Sequence, residues 1–318
     1  QAVQIRRSSF YEKLARITPR KSRKTATFRS WHDDKVFEPS MIEIKTILIT
    51  GCSSGIGYDA AHSLHKRGWQ VFATCRKQAD CDRLEAEGLT SFLIDYENQQ
   101  SIDSGFDKAM KLSGGKLDVL FNNGAYAIPA AVEDIPTEAL RQIFEANFFG
   151  WHHLSRKSLA VMRQQGHGRI LQNSSVLGFA ALRFRGAYNA TKFALEGLSD
   201  TLRLECHGSG ISIVLIEPGP ITTRIRENST PHFERWISWK NSALANTYEK
   251  FVIPRLIEKK VKKDKFELTP YAVSRCVVHA CESKRPRIRY RITTATKLMY
   301  LLKRLLPSRI MDMISIRI

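Results

Sequence analysis

Short apolar runs alternate with amphipathic stretches along most of this chain. Ile44-Lys45-Thr46-Ile47-Leu48-Ile49-Thr50 is a short apolar run suited to a strand buried on both faces. Further runs of this kind lie at 69–74, 91–95, 117–121, 169–173 and 211–216, and a seventh is expected near 287–292. Helical stretches lie between them, and the first runs from about Gly55 to Arg67 and stops at Gly68. Strands and helices in this alternation predict an α/β fold, a doubly wound parallel sheet covered on both faces. A ligand then belongs at the carboxyl ends of the strands, near the reversal in strand order. No internal repeats or low-complexity tracts interrupt the pattern.

Composition narrows the picture. The 318 residues are 43% hydrophobic, enough for one large core or two small ones. No apolar run reaches the roughly 18 residues of a membrane span. Cys52, Cys75, Cys81, Cys206, Cys276 and Cys281 form no C-x-x-C pair, and they read as free thiols of a reducing, cytoplasmic compartment. No secretory signal peptide is read at the start. His62/His65 and His152/His153 lack companions at metal spacing, so they read as solvated or packed histidines and no metal is expected.

The net charge of +19 suggests a nucleic-acid partner until its distribution is considered. Residues 1–40 hold ten Lys/Arg against four Asp/Glu, and residues 284–318 hold ten against one. The body between is nearly neutral, which makes nucleic acid an unfavoured partner. Basic ends can serve RNA, DNA or anionic lipid, or simply be solvated. Residues 1–40 have no sustained period and are expected to be a disordered basic extension; an Arg-rich transit peptide is the alternative. The αβ domain is expected at 41–283, followed by a last strand and a basic amphipathic segment at 284–318.

Thr50-Gly51-Cys52-Ser53-Ser54-Gly55-Ile56-Gly57 lies where the first strand meets the first helix. Gly51 permits a tight turn, Gly55 lets a pyrophosphate approach the backbone, and Gly57 lets helix and sheet pack closely. The helix N-terminus offers free N–H groups and partial positive charge to phosphates. A glycine turn without a ligand is the plain alternative. Tyr188 and Lys192, four residues apart, share one helix face.

Taken with Asn122-Asn123-Gly124-Ala125, Asn147, Ser175 and Pro218-Gly219, these motifs occur in one order and spacing. The series resembles the short-chain dehydrogenase/reductase family from about Lys45 to Thr223. The resemblance implies a single-domain Rossmann fold with strand order 3-2-1-4-5-6-7. It implies a nicotinamide cofactor held by Gly51, Ser53, Ser54, Gly55, Ile56, Gly57, Asn123 and Gly124. Tyr188, Lys192, Pro218, Gly219 and Thr222 complete that set, with Thr223 second to Thr222. Asp95 matches the position that meets the adenine amino group.

The resemblance assigns catalysis to Asn147, Ser175, Tyr188 and Lys192. Carbonyl reduction needs a proton as hydride arrives, and a tyrosine near pKa 10 is poorly matched to neutral pH. A lysine ammonium would favour the phenolate and lower that pKa. Ser175 would donate to the carbonyl oxygen, Lys192 would also hold the nicotinamide ribose, and Asn147 would hold a water linking Lys192 to solvent. Ser174 competes with Ser175, but the thirteen-residue spacing to Tyr188 favours Ser175. The chain has Gly124-Ala125 where most members have Ala-Gly.

Cys75 takes the position where NAD enzymes of the family carry a carboxylate, and Arg76 follows it. An arginine there accommodates a 2′-phosphate, so NADP(H) is favoured. Ser54 stands where many NADP members carry a basic residue, which keeps NAD(H) open. The likeness is greatest to bacterial aldehyde reductases near the retinol and 17β-hydroxysteroid dehydrogenase branch, which implies an apolar carbonyl or alcohol substrate and a homo-oligomer. The alternative is a nucleotide-sensing protein without turnover. Segment 224–268 corresponds to the family's substrate lid. Its Phe233, Trp236, Trp239, Tyr248 and Phe251 either line an apolar substrate or dock the lid. The leucine-rich segment Lys297–Ile318 either covers the pocket, pairs subunits or lies on a membrane.

Overall fold

Seven parallel strands form one sheet in the order β3-β2-β1-β4-β5-β6-β7 in the computed structural model, which describes residues 44–257 and 266–317. The anticipated basic extension at 1–40 lies outside the described residues. The first half runs β1 (Thr46–Ile49), α1 (Gly55–His65), β2 (Gln70–Cys75), α2 (Gln78–Ala86), β3 (Thr90–Leu93), α3 (Gln99–Ser113) and β4 (Val119–Asn122). The second runs α4 (Thr137–Phe144), α5 (Gly150–Gln165), β5 (Gly168–Asn173), α6 (Gly186–Glu205) and β6 (Ile211–Glu217). Then come α7 (Ile225–Trp236), α8 (Tyr271–Glu282), β7 (Arg289–Arg291), α9 (Thr294–Leu305) and α10 (Ser308–Arg317).

The pleat explains why the strands are apolar at every position. Ile47 and Ile49 pack on one side with Ala60, Leu64, Val273 and Val277 of α1 and α8. Leu48 points the other way, to Phe106, Trp151 and Leu154 of α3 and α5. The order leaves β1 toward β3 and resumes on its other side at β4, which opens a crevice above the β1 and β4 ends.

Strand limits differ from the apolar runs where side chains take over the backbone groups. Leu117 belongs to a run but not to the ladder, because the Gln165 amide takes both its N–H and its C=O. The third run also outlasts its strand: the Asp95 N–H donates to the Ser101 hydroxyl.

Helices α4 and α5 are joined by a π-helical turn, Glu145–Phe149. The bulge carries Asn147, whose amide receives the Tyr126 N–H at 3.1 Å and donates to the Tyr126 C=O at 2.8 Å. Over the crevice lie α7 and a helical run at 245–257, with their own apolar cluster of Tyr126, Phe233, Ile237 and Tyr248. The Tyr248 hydroxyl donates to Asp134 and receives the Ala131 N–H. No helix among the described residues is long and apolar enough to cross a membrane.

A buried ionic network closes the β6–β7 edge. The Glu217 carboxylate lies 2.8 Å from Arg289 and 3.0 Å from Arg291, and Arg289 also reaches Glu196 and Asp200. Removing its charge takes the carboxylate from Arg291 and one of three from Arg289, which keeps Glu196 and Asp200. Burial and the neighbouring Glu196 hold the Glu217 carboxyl up to about 7 against the pull of both arginines, so its ionisation lowers stability as pH rises from 4.5 through 7, and in urea unfolding Glu217→Gln is expected to gain on the unaltered protein over that range. A gap that moved against the glutamine variant as pH rose would show that the arginine pairs outweigh burial.

Candidate active site

The crevice is a cleft of about 1210 Å³. Pockets for one small ligand usually hold about 300–1,000 Å³, so this one has room for a dinucleotide and a second molecule. Its floor is the glycine turn. Gly51 has φ +66° and Gly55 φ +63°, backbone conformations that a side chain would strain. A methyl on Gly51 would also stand 2.6 Å from the Gly124 Cα. The Asn123 amide holds this turn, donating to the Thr50 and Gly51 carbonyls and receiving the Asn173 amide at 2.8 Å. Ser53, Ser54 and Ile56 line the cleft where α1 begins. Ser54 makes no capping bond with its side chain. The first N–H groups of α1 thus belong to the part of the helix that attracts anions.

At the end of β2, Cys75 is buried, Arg76 and Lys77 are exposed, and all three line the same cleft as Asp95. Burial pushes the Cys75 thiol up to about 12, so it stays neutral at physiological pH.

Tyr188 and Lys192 project from the first turns of α6, while Ser175 follows β5. The Lys192 amine donates to the Asn173 carbonyl at 2.8 Å. It lies 4.1 Å from the Trp151 ring centre and 5.5 Å from that of Tyr188. Burial drives this amine down to about 7, against the pull of Glu196 one turn further on. Burial drives the Tyr188 phenol up to about 12, and the Ser175 hydroxyl beside it pulls the other way. The expected lowering of the phenol by the lysine is therefore absent among the protein's own groups. Desolvation dominates both side chains, and the amine is engaged by Asn173.

The two serines separate by neighbour. Ser174 lies against the Glu196 carboxyl, whereas Ser175 accepts the Leu177 N–H and lies beside Tyr188. Pro218 accepts the Val176 N–H, and Gly219 packs on Thr293 and Thr296 too closely to carry a side chain. Thr222, the favoured threonine, is exposed and donates to Glu267, while a methyl on Gly55 would meet Thr223 at 3.1 Å. Of the lid aromatics, Phe233 and Tyr248 are buried and Trp236 donates to Gln142, while Phe251 is exposed and lines the cleft. Of the paired histidines, His62 meets Glu87 and His153 meets Asp103.

A buried amine held at about 7 lowers stability wherever it is charged. Below pH 7 the folded chain pays for a buried ammonium; between 7 and 10.5 the unfolded chain holds the extra proton, so stability rises with pH. Lys192→Met is expected to melt higher than the unaltered protein at pH 6, with the gap narrowing from pH 7 to 10. A gap that widened with pH would refute the cause.

Five side chains that shape the site are not legible as site residues in the sequence. The Tyr96 hydroxyl bridges Thr50 and Asn122, at 2.7 and 2.6 Å. Trp151 lies against Lys192 and donates to the Gly124 carbonyl. Tyr126 and His232 stack at 3.6 Å, joining the cleft wall to the cover. These contacts join distant parts of the chain and leave no local pattern. Glu196, one turn beyond Lys192 on the same helix, did leave one.

A doubly wound sheet with a glycine turn at its switch point, and a tyrosine and a lysine above it, defines a dinucleotide-binding oxidoreductase. Residues 45–233 match the model of the short chain dehydrogenase family, and the chain belongs to that family as an NAD(P)-dependent oxidoreductase. It is 40% identical over 270 residues to the uncharacterized oxidoreductase YbbO of Escherichia coli (strain K12), covering 85% of this chain and 93% of that one. It is 35% identical over 185 residues to human retinol dehydrogenase 8, covering 56% of this chain and 60% of that one. A short-chain dehydrogenase structure from Streptomyces avermitilis superposes with a TM-score of 0.67 at 26% identity, over 81% of this chain and 92% of that one. A serine dehydrogenase complexed with NADP+ shares the fold with a TM-score of 0.65 at 22% identity, over 79% of this chain and 95% of that one.

Proposed function

We propose that the protein reduces an apolar aldehyde or ketone to its alcohol, or runs the reverse reaction, with NADP(H). The observation that carries the cofactor choice is the end of β2, where a neutral Cys75 and an exposed Arg76 replace a carboxylate. Gly51, Gly55, Asn123 and Gly124 would hold the pyrophosphate half, with Ser53, Ser54 and Ile56 at the α1 N-terminus, whereas Gly57, expected in this set, is buried against the Gly51 carbonyl and the Asn123 amide and packs the turn. Asp95 would meet the adenine. Pro218, Gly219 and a threonine of the pair 222/223 would hold the nicotinamide half. The cofactor supplies or takes the hydride.

The chain's own groups do the rest. Tyr188 is protonated at neutral pH and so has a proton to give to a nascent alkoxide, a much stronger base than a phenolate, although burial leaves the phenol further from neutral pH than a free tyrosine. Ser175, beside that hydroxyl, donates to the oxygen as negative charge develops. Lys192 would hold the ribose of the nicotinamide half, and Asn147 in the π-helical turn fixes the Tyr126 backbone. Support for an apolar substrate comes from Leu182, Phe184, Ile225, Phe251 and Val252, which share the cleft with Tyr188 among the cations Arg183, Arg185, Arg224, Arg226 and Arg255. Two relatives bear names of lipid chemistry, retinol dehydrogenase 8 and a 3-ketodihydrosphingosine reductase from Bacteroides thetaiotaomicron.

NADPH consumption against aldehydes and ketones of rising chain length tests the reading. kcat/KM is expected to climb with apolar length. NADPH binding without turnover on any carbonyl would favour the nucleotide-sensing alternative.

A further inference from the structure

Helices α9 and α10 each have a seated side and an outward side. On α9, Thr296 is fully buried, Tyr300 meets the Phe179 ring edge-on at 5.8 Å, and Lys303 reaches the Phe179 carbonyl and the Phe193 ring. Leu298, Leu301 and Leu305 recur at three- and four-residue steps and are exposed, Leu305 by 70%. On α10, Met311 is buried, while Ile310, Met313 and Ile316 recur every third residue and are exposed, Ile316 by 61%. Exposed Lys297, Arg304, Arg309 and Arg317 stand among these apolar positions, and Asp312 is the single acidic residue of the two helices. The outward stripe ends at the cleft, which Ile316 and Arg317 line together with the exposed Phe251 and Arg255 of the cover.

We propose that this outward face is a docking surface for an anionic lipid bilayer. Six large apolar side chains in two stripes are more than a water-facing surface normally carries, and the interleaved cations match lipid phosphates. A second copy of this chain fits worse. A two-fold axis through the face would bring together two copies of α9 and α10 that each hold five Lys/Arg against one acid, and interface cores are depleted in lysine. A bilayer accepts the apolar stripe and neutralises the charge. On the proposed reading of the cleft, its mouth would then lie at the lipid surface, where an apolar carbonyl is concentrated.

The test measures binding of the full chain to vesicles, without cofactor or substrate, so its result is independent of that reading. Vesicles of phosphatidylcholine with phosphatidylglycerol at about 7:3 are expected to hold the protein about tenfold more tightly than phosphatidylcholine alone. Leu301→Asp/Leu305→Asp/Ile316→Asp is expected to lose about tenfold in partitioning and to keep its melting temperature, since all three side chains face water. Lys297→Gln/Arg309→Gln keeps the stripe and is expected to weaken binding about threefold or more and flatten its salt dependence. Absence of binding by the unaltered chain overturns the proposal. So does unchanged binding by the aspartate variant, which would place the contact elsewhere, as in the basic residues 1–40 that all variants share. A variant that changes oligomeric state but not vesicle binding assigns the face to a second copy.

Discussion

Tyr188→Phe is expected to lower kcat for NADPH-dependent carbonyl reduction by about 10³-fold, or ~4 kcal/mol, and to leave the Kd for NADPH within about twofold. The substitution removes one oxygen. The ring stays in its cluster with Ala187 and Tyr126, so packing and fold should survive. What disappears is the proposed acid for the product oxygen and the partner of the Ser175 hydroxyl. A general acid of this kind contributes about 10²–10⁴ in rate. Single-turnover oxidation of NADPH and fluorescence titration of NADPH measure the two quantities separately. Turnover within tenfold of the unaltered enzyme would take Tyr188 out of the acid role. Loss of NADPH binding would move it into the cofactor site.

The expected lowering of the phenol by Lys192 illustrates how sequence and structure divide the information. Spacing placed Tyr188 and Lys192 on one helix face, and the α6 backbone delivers that. Spacing could not say where the amine points. It points to the Asn173 carbonyl across the sheet edge, with Trp151 beneath it, and burial then sets both pKa values. The parallel sheet was legible because strands buried on both faces need apolar residues at every position, as at Ile47, Leu48 and Ile49. Strand ends were less legible, because side chains such as Gln165 and Ser101 compete for the same backbone groups. The buried Glu217 was passed over as part of a short motif, since only β7, arriving 72 residues later with Arg289, reveals its charge partners. The C-terminal segment was read with three destinations open. Its outward leucines narrow them, because α9 seats on the body through Thr296, Tyr300 and Lys303, not through its apolar stripe.

Cys75→Asp combined with Arg76→Ala is expected to shift the ratio of kcat/KM for NADPH over NADH by about a hundredfold toward NADH, ~2.7 kcal/mol. Both residues line the cleft at the carboxyl end of β2. In the unaltered chain the buried thiol is neutral, so nothing at position 75 repels a phosphate. Arg76 adds a guanidinium fork suited to that phosphate, and a charge-assisted pair of this kind is worth about 1.5–3 kcal/mol. Arg76→Ala alone should therefore account for about tenfold of the shift by removing the attraction. Aspartate at 75 supplies the other part: it accepts bonds from free ribose hydroxyls and opposes the 2′-phosphate. The assignment predicts a specific asymmetry. The efficiency with NADPH should fall with either change, whereas the efficiency with NADH should rise only when the carboxylate is introduced. Steady-state kinetics with both cofactors and one carbonyl substrate checks each arm. If Arg76→Ala lowered both efficiencies equally, Arg76 would be a general anchor of the dinucleotide, and the preference for NADP(H) would have to arise elsewhere in the cleft.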